Sequence, residues 1–169
     1  MKKTILCLTL IYSFFNIDID ARVLPQDVIW NNDETGYYTI DENSIVLVST
    51  IGKKDKKILS SEDVKNKKIE SFSFSQDKKN VLIFTNSVRV WRYNTRGNYW
   101  VYNLKTKQGK RLGSTLPDRS LMFAKFSPNG KKIAYVSKEI IPNSFRNSST
   151  RANIYLETIE DNSIVKLTE

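Results

Sequence analysis

The side chains able to do chemistry in this chain are arginines and carboxylates, because its 169 residues include no histidine and a single cysteine, Cys7. Two arginines stand out by their setting. Residues 87–104 read SVRVWRYNTRGNYWVYNL, an aromatic and β-branched strand pattern interrupted by Arg92 and Arg96. A guanidinium stays charged and offers several donors in a fixed fork, which makes an arginine among half-buried strand residues a position to account for. Arg96, beside Gly97, reads equally as the charged tip of a hairpin. The carboxylates come in pairs, Asp33-Glu34, Asp41-Glu42, Glu62-Asp63 and Glu160-Asp161, each next to a turn signal. Held on rigid strands such pairs perform acid/base chemistry; in turns they solvate loops, and these read as loop residues.

Much chemistry is excluded outright. Without histidine no Ser-His-Asp triad can form, and no G-x-S-x-G nucleophile elbow is present. No catalytic residue is therefore expected. Zinc sites of Cys/His type and a disulfide framework are ruled out. The six glycines are scattered singly, with no phosphate-cradling spacing. No cofactor and no metal are expected.

The elements that must position Arg92 follow from a repeat. SFSFSQDKKNVLIFT (71–85) and FAKFSPNGKKIAYVS (123–137) align at a constant offset of 52, with Phe74 on Phe126, Ser75 on Ser127, Asp77 on Asn129 and Val81 on Ile133. A weaker third copy, IWNNDETGYYT, includes Trp30. Each copy is an apolar strand, a polar turn and a second apolar strand, and Asn129-Gly130 tolerates the positive φ of a tight turn. Another strand and turn follow each hairpin, so one unit holds four short strands over about 45–50 residues, the period of a β-propeller blade. The chain is read as all-β, with three units at approximately 28–60, 69–113 and 120–167. Closed propellers need about four to eight blades, so this is a partial propeller, and the chain reads as a fragment of a longer protein or a truncated gene product. In YWVYNL, alternation sends Tyr99, Val101 and Asn103 to one face and Trp100, Tyr102 and Leu104 to the other. Blades are covered on both faces, so these aromatics, with Trp91 and Tyr93, are expected in cores rather than in a stacking site.

At the N-terminus, Lys2 and Lys3 precede an apolar run from Thr4 to Phe15 and a polar stretch ending at Ala21. That layout is a signal peptide over residues 1–21, too short for a permanent span. The chain from 22 to 169 is then an exported, periplasmic or secreted domain. The net charge of +9 is spread in short lysine runs beside Asp, Asn or Gly, which read as solvated turns and protected strand edges. Nucleic acid is not an expected partner. The stretch 138–153, KEIIPNSFRNSSTRAN, reads as an exposed insertion, and Asn147-Ser148-Ser149 matches a glycosylation acceptor.

WRYNTRGNYWVYNL (91–104), followed by RSLMFAKFSPNGKKIAYVS (119–137) and NIYLE (153–157), resembles the N-terminal β-propeller of the dipeptidyl peptidase IV family of prolyl-oligopeptidase-like serine peptidases, its bacterial members most closely. The resemblance covers about residues 28–169. Its specific part is W-R-x-N-T-R-G-x-Y-W; the F-S-P-N-G-K-K-I-A-Y element is shared by many propellers. The resemblance implies three four-stranded blades of an eight-bladed propeller that caps an α/β-hydrolase domain, the two together removing N-terminal dipeptides after proline or alanine. It puts Arg92 at the position of a cavity arginine that binds the carbonyl of the substrate's second residue. The family's paired glutamates and catalytic serine, aspartate and histidine would lie beyond residue 169. The expected partners are a peptide substrate, in the full-length context, and the missing hydrolase domain or remaining blades. The chain alone is expected to hydrolyse nothing. A non-enzymatic extracytoplasmic scaffold, and a remnant that does not fold stably, are the competing readings.

Overall fold

The computed structural model describes residues 28–65, 67–90, 92–140 and 150–168; the expected signal peptide and Asn147 lie outside them. Twelve strands follow in order: β1 Ile29–Trp30, β2 Gly36–Asp41, β3 Ser44–Ser49, β4 Lys56–Ser60, β5 Ser71–Phe74, β6 Asn80–Val90, β7 Tyr93–Asn103, β8 Gln108–Arg111, β9 Leu121–Phe126, β10 Lys132–Ile140, β11 Thr150–Thr158 and β12 Ile164–Lys166. Antiparallel pairing joins β1–β4 into a four-stranded sheet, the first blade, and β5–β12 into an eight-stranded one, which the repeat divides into a second blade, β5–β8, and a third, β9–β12, linked by two residue pairs between β7 and β9. A short 3-10 turn, Glu62–Val64, lies between the first two. The all-β partial propeller expected from the repeat is the architecture observed.

The repeat is conserved down to its hydrogen bonds. In the second blade the Ser75 backbone N–H donates to Asn80 O (2.9 Å), Ser75 Oγ donates to Asp77 Oδ1 (2.7 Å), Lys79 N donates to Asp77 Oδ1 (3.1 Å) and Asn80 N to Ser75 Oγ (3.0 Å). Fifty-two residues on, Ser127, Asn129, Lys131 and Lys132 make the same set. The residue after the Asp or Asn takes the left-handed conformation, φ 52° at Lys78 and 68° at Gly130. The weak first copy closes in the same way, with Asn31 and Asp33 accepting from Gly36 N and Thr35 N and Glu34 at φ 58°. These bonds hold the Asp33 and Asp77 carboxyls below their ordinary pKa, mainly through the Thr35 and Ser75 hydroxyls. Asn129-Gly130 is thus part of a longer side-chain-bonded turn, in which only the glycine carries positive φ.

Two cores lie between blades. Ile45, Leu59, Phe72, Val81, Ile83, Trp100 and Tyr102 join the first blade to the second. Leu82, Val101, Leu112, Leu121, Ile133, Tyr135 and Tyr155 join the second to the third. The second blade therefore uses both faces of β6 and β7, as the alternation in YWVYNL requires. Its aromatics at 99, 100 and 102 are core residues or packed on a core, whereas Tyr93 is 71% exposed. Trp91 is not among the described residues.

The third blade is locked to the second by a buried carboxylate. Glu157, 2% exposed, accepts from Gly113 N (2.9 Å) and from the Tyr135 hydroxyl (3.1 Å), and Lys110 Nζ lies 3.7 Å from its other oxygen. Lys110 also donates to Ile159 O at 2.8 Å and to the Asn162 side chain.

Candidate functional site

Arg92 is carried by an arm. β6 runs through the blade as far as Thr85, 0% exposed, and is then thrown out of register, with Asn86 at φ 54° and shifts between Thr85, Val88 and Val90. A bulge of this kind unpairs backbone groups and re-aims the strand. Beyond it Val88 pairs with Arg96 and Val90 with Tyr93. Arg92 therefore sits in the turn ahead of Tyr93, exposed to solvent. Among the described residues Arg92 has no hydrogen-bond or ion-pair partner.

Arg96 is placed differently from its reading as a hairpin tip. It lies inside β7, partly buried, between Val88 on one side and Met122 of β9 on the other, and its Nε is buried without a hydrogen-bond partner. Gly97 follows for a steric reason and not for a turn. A Cβ there would stand 2.6 Å from Phe84 Cε2 and 2.8 Å from Thr85 O, so the bare backbone lets the Phe84 ring lie across β7.

The base of the arm is held by Glu70, at the entry to β5 of the same blade, and by Arg119, in the connection that leads to β9. On one side Glu70 donates its N–H to Phe84 O (2.9 Å) and accepts from Ser87 N through Oε1 (2.8 Å). On the other, Arg119 reaches from the connection before β9, donating from Nε to Asn86 O and from Nη2 to Ser87 O, each at 3.1 Å. Those two carbonyls lie at the bulge, and the planar fork meets both. Arg119 is itself anchored to β7, its N–H donating to Asn98 Oδ1 (2.8 Å), while Asn98 Nδ2 donates to Asp118 Oδ1 (2.9 Å). Arg111 Nη1 closes the set on Asp118 at 3.0 Å. The clip is a motif that sequence reasoning missed, although Asp118-Arg119 ahead of a strand was a readable signal of a charged turn.

None of the four acidic pairs enters this site. All eight residues are exposed in turns or at strand and turn edges, and Asp63 and Asp161 bond neighbouring backbone. Among the described residues no group of His, Cys, Asp and Glu could hold a metal ion. No helix among them is long and apolar enough to cross a membrane.

A family model described as the dipeptidyl peptidase IV (DPP IV) N-terminal region matches residues 75–169, which takes in the arm, the clip and the whole third blade. The chain belongs to that family. Dipeptidyl aminopeptidase B of Saccharomyces cerevisiae is 39% identical over 71 residues, 42% of this chain and 8% of that protein. A probable dipeptidyl-aminopeptidase B of Aspergillus oryzae is 26% identical over 95 residues, 56% of this chain and 9% of the relative. The aligned part of this DPP IV N-terminal chain thus spans less than a tenth of either relative. In fold it is similar to Porphyromonas gingivalis dipeptidyl peptidase 4, with TM-score 0.65 and 20% identity over 84% of this chain and 19% of that one. It is also similar to the tricorn protease, with TM-score 0.51 and 14% identity over 84% of this chain and 13% of that one.

Proposed function

We propose that this DPP IV N-terminal chain is the first part of the substrate-recognition propeller of an exported dipeptidyl-peptidase-IV-like serine peptidase, and that Arg92 binds a carbonyl near the N-terminus of a peptide. The observation that carries the reading is the exposed guanidinium of Arg92, unpartnered among the described residues, on an arm whose base Glu70 and Arg119 hold. An arginine built for solvation alone needs no such scaffold. The fork donates to the carbonyl of the substrate's second residue, and the propeller admits peptides with proline or alanine there. Hydrolysis belongs to a catalytic domain outside these residues, since this sequence holds neither a histidine nor a nucleophile elbow.

The test is titration of the full chain with Ala-Pro-amide, followed by calorimetry or NMR. Loss of a hydrogen bond from a charged donor costs about 1.5–3 kcal/mol, so Arg92→Gln should weaken binding about tenfold or more. Equal affinity of the variant and the parent would refute the role of Arg92. Turnover of Ala-Pro-p-nitroanilide by the purified chain would refute the division of labour.

A further inference from the structure

Between the second and third blades lies a cleft of ≈ 400 Å³ that neither core fills. Its floor is Leu82, Phe84, Tyr99 and Ala124, with the Phe84 and Tyr99 rings 4.7 Å apart. The cause is local. On β5 the large residues Phe72 and Phe74 belong to the first-to-second blade core, which leaves Ser71 and Ser73 to face β9. Two serines stand where the other blade contacts use aliphatic or aromatic groups, and the space opens between the inner strands.

The rim is polar. Ser71, Ser73 and Lys125 line it, and among the described residues none of these three side chains has a hydrogen-bond or ion-pair partner. Among the described residues β5 pairs with β6 and with no other strand. An apolar floor of this size with a few convergent polar groups is the usual form of a small-ligand site, which runs from about 300 to 1,000 Å³. The one charge at the rim is cationic, and two hydroxyls stand beside it.

We propose that this cleft binds an apolar group bearing a carboxylate, with the hydrocarbon on Leu82, Phe84 and Ala124 and the carboxylate on Lys125 and the two serine hydroxyls. The C-terminal residue of a short peptide and a free N-blocked hydrophobic amino acid share that chemistry. The site lies apart from Arg92 and does not depend on the role assigned to it.

The experiment titrates the full ¹⁵N-labelled chain with N-acetyl-phenylalanine and with its amide. The acid should give saturable shifts confined to β5, β9 and the floor residues. The amide should bind more weakly, by about 1.4-fold to fivefold, the range for one ion pair at a solvated rim. Lys125→Gln should erase that difference, and Ser73→Leu, which fills the space, should abolish binding. Arg92→Gln should leave all of it unchanged, so this inference and the proposed function fail separately. Equal binding of acid and amide, a difference that survives in Lys125→Gln, or shifts elsewhere in the chain would overturn the proposal. Should Ser73→Leu fail to fold, the acid-against-amide comparison in Lys125→Gln still decides. Tighter binding of Ala-Ala-Phe than of N-acetyl-phenylalanine would assign the site to peptide C-termini, and equal or weaker binding to free acids.

Discussion

Replacing Glu157 by alanine should loosen the third blade from the second. In the folded chain its carboxylate takes the Gly113 N–H and the Tyr135 hydroxyl, at 2.9 and 3.1 Å, with Lys110 at 3.7 Å. Alanine leaves a phenol that is 1% exposed and a buried backbone N–H without their acceptor. Each unsatisfied group costs about 1–3 kcal/mol, and breaking a buried charge pair by removing one partner costs about 3–5 kcal/mol. These costs overlap, because Lys110 keeps its bond to Ile159 O and its side chain is 28% exposed. An overall loss of about 3–4 kcal/mol is expected. At about 2–4 °C per kcal/mol for a chain of this size, that is a fall in melting temperature of roughly 10 °C. Glu157→Gln keeps an acceptor and should lose about half as much. Urea unfolding of the parent, Glu157→Ala, Tyr135→Phe and the double variant gives the coupling directly. A coupling near zero, or a loss under about 1 kcal/mol in Glu157→Ala, would show that the carboxylate does not hold the blades together.

Gly97→Ala should destabilise the chain by about 1–3 kcal/mol, read by thermal unfolding, because the new methyl meets the Phe84 ring and Thr85 O inside 3 Å; Gly52→Ala, at an open turn of positive φ, should cost about 1 kcal/mol for backbone reasons alone. Arg119→Ala should cost about 1–3 kcal/mol, because it loses two hydrogen bonds from a charged donor at a solvated site, and should speed amide exchange across residues 86–96. Protection there equal to the parent's would show that the clip does not brace the arm. Burial and then the nearby Glu157 charge push the Tyr135 phenol well above the ordinary 10.0. The unfolded chain ionises that group first, so stability should be unaffected by it below about pH 10 and should fall as pH rises beyond, with a shallower fall in Tyr135→Phe.

The turns were legible because their chemistry is local. A Ser, then an Asp or Asn two residues on, then a residue that tolerates positive φ, closes within six positions and needs nothing from the rest of the chain. Core faces in β7 were legible for a similar reason, since strict alternation sends Trp100 and Tyr102 one way and Tyr99 and Val101 the other. The hairpin tip was not legible. Arg96-Gly97 looks like a turn from its residues, but beyond the bulge at Asn86 Arg96 is paired with Val88 and the turn lies at Arg92, and a bulge shows itself only when both strands and Arg119 ahead of β9 are in place. Glu157 shares the alternation of Asn153 and Tyr155 and so falls on the same buried face, but a lone carboxylate at a strand end carries no sequence signal for the Gly113 N–H and Tyr135 hydroxyl that meet it.

By itself the sequence determined the all-β class, the three blade units, the chemistry of their turns and the absence of a hydrolytic triad, all of which rest on residue type, spacing and count. Only the tertiary structure decided that Arg92 lies exposed in a turn while Arg96 lies within β7, why Gly97 is a glycine, that Glu157 is buried and where a cleft opens between the blades. Those outcomes depend on contacts between residues a dozen to more than forty positions apart, such as Gly97 with Thr85, Asn98 with Asp118 and Gly113 with Glu157. Strand register sets such contacts, and one bulged residue shifts it.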